Sequence, residues 1–122
     1  MEQEYIKGDI VMYDSKIHTI MDTLELNNYE LSYIEHPVHQ LELSGVPLTP
    51  EILEKNGWKD DGYDWYRLPT KRAYLYITKD ITTLGEFLVC VGLDRHNLAS
   101  INFVHQLQHL LFGLNINYEM EV

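Results

Sequence analysis

Residues 9–22, DIVMYDSKIHTIMD, decide how the first half of this chain is built. Two runs of alternating residues, Ile10 and Met12 against Val11 and Tyr13, then Ile17, Thr19 and Met21 against His18, Ile20 and Asp22, flank the turn-forming pair Asp14-Ser15. Strict period two bounded by such a pair predicts two strands of an antiparallel hairpin. Outward from it, Asn27-Asn28 supplies a second turn and YELSYIE (29–35) a third strand, with Tyr29, Leu31 and Tyr33 on one face. HQLEL (39–43) before Gly45 reads as a fourth. Short strands on tight turns over so few residues predict a small antiparallel barrel of the KOW or Tudor kind, assigned to residues 1–46.

At VPLTPEILEKNGW (46–58) the pattern changes to a short helix over 50–56. Thr49 is an N-cap type, Pro50 fits the first helical position, Glu51 favours the positive helix end, and Leu48 with Leu53 has staple spacing; Asn56-Gly57 ends the helix. Strands are expected at YDWYRL (63–68), RAYLYIT (72–78) and EFLVCVGL (86–93), and a helix at about 103–114. At 100° per residue Phe103, Val104, Leu107, Leu110, Leu111 and Leu114 share one helix face, while His105, Gln106 and His109 lie on the other. The expected fold class is α+β: the barrel-like part, then a second part over 47–122 in which a small antiparallel sheet is packed by the C-terminal helix.

With 122 residues, 45% hydrophobic and 23% charged, the chain has the composition of a folded domain. Its net charge of −10 excludes a general grip on duplex nucleic acid. The charge is unevenly placed: residues 1–54 hold eleven acids and two lysines, whereas 55–95 hold six acids and seven bases. The opening MEQEYIKGDI lacks the basic and apolar regions of a secretory signal, so a cytoplasmic location is expected. Residues 96–118 carry no Asp, Glu, Lys or Arg, but their three histidines and four asparagines argue against a membrane span. The single cysteine, Cys90, sits in an apolar run and reads as a small buried residue.

The blocks VPLTPEILEKNGW and FVHQLQHLLFGLN (103–115) resemble a large set of small uncharacterised proteins from gut bacteria and the phages and mobile elements that inhabit them. The resemblance covers most of the chain and rests on Val46, Pro47, Leu48, Thr49, Leu53, Asn56, Gly57 and Trp58, then His105, Gln106, Leu107 and Gln108; His109 stands where those proteins have asparagine. It implies a cytoplasmic accessory protein, often phage-borne, and brings no activity with it.

The chain has no GxSxG, P-loop or GxGxxG motif. His105 and His109 have the i, i+4 spacing of metal ligands, but HQLQH lacks the glutamate of HExxH, and the polar residues there read as structural hydrogen-bonders to loop backbone or a partner. Asp60, Asp61 and Asp64 fall in a Gly-containing turn, KDDGYD. No metal or cofactor is expected. The most informative constellation is basic and aromatic: Arg67, Lys71, Arg72 and Lys79 within thirteen residues, interleaved with Trp65, Tyr66, Tyr74 and Tyr76. Strand alternation places Arg72, Tyr74 and Tyr76 on one face, joined across the hairpin by Trp65 and Arg67. Rings beside guanidinium groups stack bases and neutralise phosphates. The expected ligand is a small nucleotide-type anion, bound by Trp65, Arg67, Lys71, Arg72, Tyr74, Tyr76, His105 and Gln106 in a non-enzymatic homo-oligomer that blunts a host response. Two other readings stand beside it: an acidic interaction module that docks on a host protein as a DNA mimic does, and a nucleotide-processing enzyme using His105.

Overall fold

A computed structural model describes residues 4–63, 65–70, 74–79, 86–92 and 96–122. The chain divides into two compact units, residues 1–47 with 103–120, and residues 48–102 with 121–122. The α+β expectation holds in both its sheets and its helices.

The first unit carries a curled five-stranded antiparallel sheet ordered β4-β3-β2-β1-β5, comprising β1 (Ile10–Tyr13), β2 (Lys16–Thr23), β3 (Asn28–Leu31), β4 (Val38–His39) and β5 (Leu43–Gly45). The opening hairpin follows the sequence pattern, with Tyr13 opposite Lys16 and Ile10 opposite Thr19. Asp14 (φ 49°) and Ser15 (φ 62°) both adopt the left-handed conformation that two-residue hairpin turns require. The apolar count in β2 misleads about its inner face. His18 and Ile20 point inward, whereas Ile17 and Met21 are about half exposed. His18 satisfies burial by donating Nδ1–H to the Ser32 carbonyl at 2.8 Å. The HQLEL segment, expected as one strand, splits into β4, a 3-10 turn at Gln40–Glu42 and β5. His39 sets that break: its Nδ1 accepts the Leu41 N–H and its own N–H is taken by Glu42, a reciprocal cap. The core is Tyr5, Val11, Ile20, Tyr29, Leu31 and Val38, each 2% exposed or less.

The C-terminal helix α2 (Val104–Gly113) belongs to this first unit. This differs from the expected division, which places the helix within residues 47–122 on the second sheet. Backbone pairing decides the difference: Pro47 bridges Phe103, and the Val104 N–H donates to the Val46 carbonyl at 2.8 Å. Gly45 permits the approach, because a Cβ there would stand 2.5 Å from Phe103 Cγ. The buried helix face also differs from the apolar stripe. Val104, His105, Leu107, Gln108 and Leu111 are buried, while Phe112 and Leu114 are exposed.

The second unit opens with α1 (Pro50–Lys55), capped by Thr49 Oγ1, which accepts the Ile52 N–H at 3.2 Å, and started by Pro50 as expected. A five-stranded antiparallel meander follows: β6 (Lys59–Gly62), β7 (Trp65–Pro69), β8 (Tyr74–Lys79), β9 (Phe87–Val91) and β10 (His96–Ile101). β7, β8 and β9 lie where the sequence pattern predicts strands, whereas β6 falls where KDDGYD predicts a turn and β10 where no strand is predicted. Both lack the apolar alternation that marks a strand. Leu75, Ile77, Phe87 and Val89 share one face through the β8/β9 register and are buried, as are Leu48, Leu53 and Trp58. Among the described residues no helix is long and apolar enough to cross a membrane.

Candidate functional site

The basic and aromatic constellation forms on the other face of the second sheet. In the β7/β8 register Trp65 faces Thr78, Arg67 faces Tyr76 and Pro69 faces Tyr74, so Trp65, Arg67, Tyr74 and Tyr76 project to one side. They touch in sequence along that side. The Trp65 ring meets Tyr76 edge-on at 6.2 Å, Tyr76 meets Tyr74 at 6.3 Å, and the Arg67 guanidinium lies 4.9 Å from the centre of the Tyr74 ring. Tyr76 is only 6% exposed and serves as the support beneath the row, next to Cys90 across the β8/β9 pair. Cys90 is itself buried, as its apolar run predicts, with its thiol donating to Asn97 Oδ1 at 3.1 Å. Tyr74 is 41% exposed and Trp65 and Arg67 are partly exposed, so these three are the members a ligand can reach.

Arg67 also approaches Asp61 Oδ1 at 3.7 Å, with both side chains partly solvated. A pair so long and so wet contributes at most about 1 kcal/mol, and a better anion displaces it easily. Lys71 and Arg72 lie outside the described residues. The two remaining predicted members, His105 and Gln106, belong to the first unit. Gln106 caps its own helix, accepting the Phe103 N–H through Oε1 at 3.0 Å.

Sequence reasoning missed a buried polar cluster in the first unit. Asp9, fully buried, accepts the Ile6 N–H at 2.8 Å through Oδ2, and the same oxygen lies 2.6 Å from His109 Nε2. A carboxylate has no proton to give, so His109 is the donor. Burying a lone carboxylate costs several kcal/mol, and His109 offsets that cost from a residue 100 positions away. His105, 5% exposed, lies edge-on to Tyr5 at 5.0 Å and to His109 at 5.7 Å, and stacks on Phe103 at 5.8 Å. Burial pushes its pKa below the ordinary 6.5, and His109 adds to the effect, while the Asp9 charge pulls the other way; it is held neutral. Asp9 Oδ1 and His105 Nδ1 are buried and carry no hydrogen bond among the described residues. Burial pushes the Tyr5 hydroxyl up to about 12, helped by Glu4, Tyr29 and Asp9.

Gln108 fastens the cluster. Fully buried, it accepts the Ile10 N–H through Oε1 at 2.8 Å and donates through Nε2 to the carbonyls of Gly8 (2.8 Å) and Tyr118 (3.1 Å). The sequence expectation that polar residues of HQLQH bond to loop backbone describes this side chain well. It does not describe His105, whose burial is aromatic. Within the described residues no group of three or more His, Cys, Asp or Glu is arranged to hold a metal. The first unit also has two open grooves, of about 330 Å³ beside Lys7, Ile10, Thr19 and Met21, and about 260 Å³ between Leu24, Glu30, Ile34 and His36. Neither contains a predicted site residue.

No family model, no curated protein and no solved structure matches the chain.

Proposed function

We propose that this chain is a non-enzymatic binding protein that captures a small nucleotide-type anion on the Trp65, Arg67, Tyr74 face of the second sheet. The supporting observation is the Arg67 guanidinium 4.9 Å over the Tyr74 ring, continued by Tyr76 and Trp65. Such a row offers a flat π surface for a base and a fixed positive charge for a phosphate beside it. Lys71 and Arg72 stand two and three residues after Pro69 in sequence and add two further cations to the same segment. The family resemblance of the two sequence blocks makes the setting that of a phage or mobile-element accessory protein which sequesters a host signal.

Heating the purified protein and weighing what it releases by mass spectrometry tests the reading, followed by titration with cyclic dinucleotides and ADP-ribose derivatives. Tyr74→Ala is expected to weaken binding about tenfold or more, the worth of one stacked base. Absence of both retained and added nucleotide would falsify the proposal.

A second reading is favoured by the charge of the first unit, where ten acids meet two lysines. Leu26 (84% exposed), Leu41 (77%) and Tyr33 (99%) stand out from that acidic surface. Leu26 and Tyr33 hold left-handed backbone (φ 58° and 62°) that costs a side-chain-bearing residue on the order of 1 kcal/mol or more. Apolar anchors on an acidic ground suit a basic protein partner. Capture of such a partner should weaken steeply with salt and with charge reversal at Glu30 or Glu35, and survive Tyr74→Ala.

A further inference from the structure

Every open sheet ends in two edge strands whose outward N–H and C=O groups are a template for any extended chain, and proteins blunt them by shortness, charge or proline. The first sheet ends in β4 and β5, of two and three residues. At one end of the second sheet stands β6, KDDG, with Lys59, Asp60 and Asp61 all exposed. The other end is different. β10, HNLASI, has six residues, no Asp, Glu, Lys or Arg and no proline, and among the described residues its one strand neighbour is β9. His96, Asn97, Leu98 and Ser100 are exposed, Leu98 to 41%. A register shift between Asn97 and Ala99 kinks the strand once, leaving Ala99, Ser100 and Ile101 in regular pairing with β9.

We propose that β10 pairs antiparallel with β10 of a second copy of this chain, joining two five-stranded sheets about a twofold axis. Charge selects this occupant. Two copies of a chain carrying −10 repel one another, and meeting at β6 would set Asp60 and Asp61 against their duplicates. At β10 no Asp, Glu, Lys or Arg opposes another in any antiparallel register, and the one titratable side chain, His96, lies at the strand end, while Leu98, at mid-strand, falls at or beside the axis. An unrelated extended peptide would draw specificity from side-chain pockets along the strand. The two grooves described above include no β10 residue. Six residues of edge bury less than the roughly 1,000 Å² of a stable interface, so the association is weak and reversible.

Sedimentation of the full chain from micromolar to near-millimolar concentration tests this. The average mass is expected to rise from 14.4 kDa toward twice that value. Amide exchange at residues 97–100 should slow only in the concentrated sample. Leu98→Lys, at an exposed position beside the axis, should move the association midpoint about tenfold or more to higher concentration, since it brings two like charges together across a close strand pair. Asp60→Lys and Tyr74→Ala should leave it in place, the latter separating self-association from nucleotide binding. A single-chain mass at every concentration overturns the proposal. So does a dimer unmoved by Leu98→Lys, or one whose concentration-dependent protection lies outside β10.

Discussion

Replacing Gln108 with leucine tests the fastening of the first unit directly, because the two side chains are close in size and only the amide is lost. Gln108 is fully buried and serves three backbone groups: the Ile10 N–H, the Gly8 carbonyl and the Tyr118 carbonyl. The Ile10 N–H is buried, and an orphaned buried donor costs about 1–3 kcal/mol. The two carbonyl contacts are part-buried, so water recovers some of their loss, leaving about 0.5–1 kcal/mol each. Leucine returns on the order of 1 kcal/mol through its greater hydrophobicity. The net expectation is a loss of about 1–4 kcal/mol from the first unit. Both tryptophans, Trp58 and Trp65, belong to the second unit, so their fluorescence reports the wrong part of the molecule. Urea unfolding followed by backbone circular dichroism, with amide exchange read at Ile10, addresses the right one. Gln106→Leu, which loses the Phe103 N–H bond within its own helix turn and leaves the Ile10 N–H served, is the control, with Ile10 protection expected unchanged. A Gln108→Leu protein within about 0.5 kcal/mol of the parent, or with Ile10 protection unchanged, refutes the reasoning.

Gly45→Ala drives a methyl group to 2.5 Å from Phe103 Cγ and should cost about 1–3 kcal/mol in a thermal melt, whereas Gly113→Ala, with open space around it, should be neutral or stabilising. His105 has a folded pKa below its unfolded 6.5, so the unfolded state takes up the extra proton. Its contribution to stability is complete above pH 6.5 and is lost as pH falls below it; the urea midpoint should drop on acidification, and less so in His105→Phe. Tyr5 behaves oppositely. With a folded pKa near 12 against 10.0 unfolded, its contribution is complete below pH 10 and is lost between 10 and 12, a limb that Tyr5→Phe should flatten.

The local features of the fold were readable because they are written in adjacent residues. Asp14-Ser15 marks the hairpin that the backbone adopts there, and Thr49-Pro50 starts α1 where expected. The aromatic row was readable for the same reason, since period two alone aligns Trp65, Arg67, Tyr74 and Tyr76 once the hairpin is placed. What escaped depends on partners far along the chain. Asp9 is an ordinary acid in sequence, and its burial follows from His109, 100 residues later. A polar helix face with no charge on it, HQLQH, is the one sequence signal that could have exposed the cluster. Its histidine and glutamine bury because the loop preceding β1 presents backbone groups and aromatic rings to them. Conversely, Leu114 belongs to the apolar stripe by period and yet is 43% exposed, while Phe112, on the opposite side of the helix by period, is 56% exposed. Phe112 rests on Tyr118 at 5.1 Å instead.

The division of the chain into units has a consequence for its birth on the ribosome. In the first unit Pro47 bridges Phe103, and in the second the Leu48 N–H reaches the Asn102 carbonyl at 2.9 Å. Each unit thus closes across the same junction, and residues 48–102 form an insert within the first. Synthesis proceeds from the N-terminus, so the strands up to Gly45 emerge early but wait for α2 and the tail to bring Gln108 and His109 to the loop before β1. The insert, whose strands among the described residues pair with neighbours in sequence, has nearly all it needs beforehand. The part begun first is finished last.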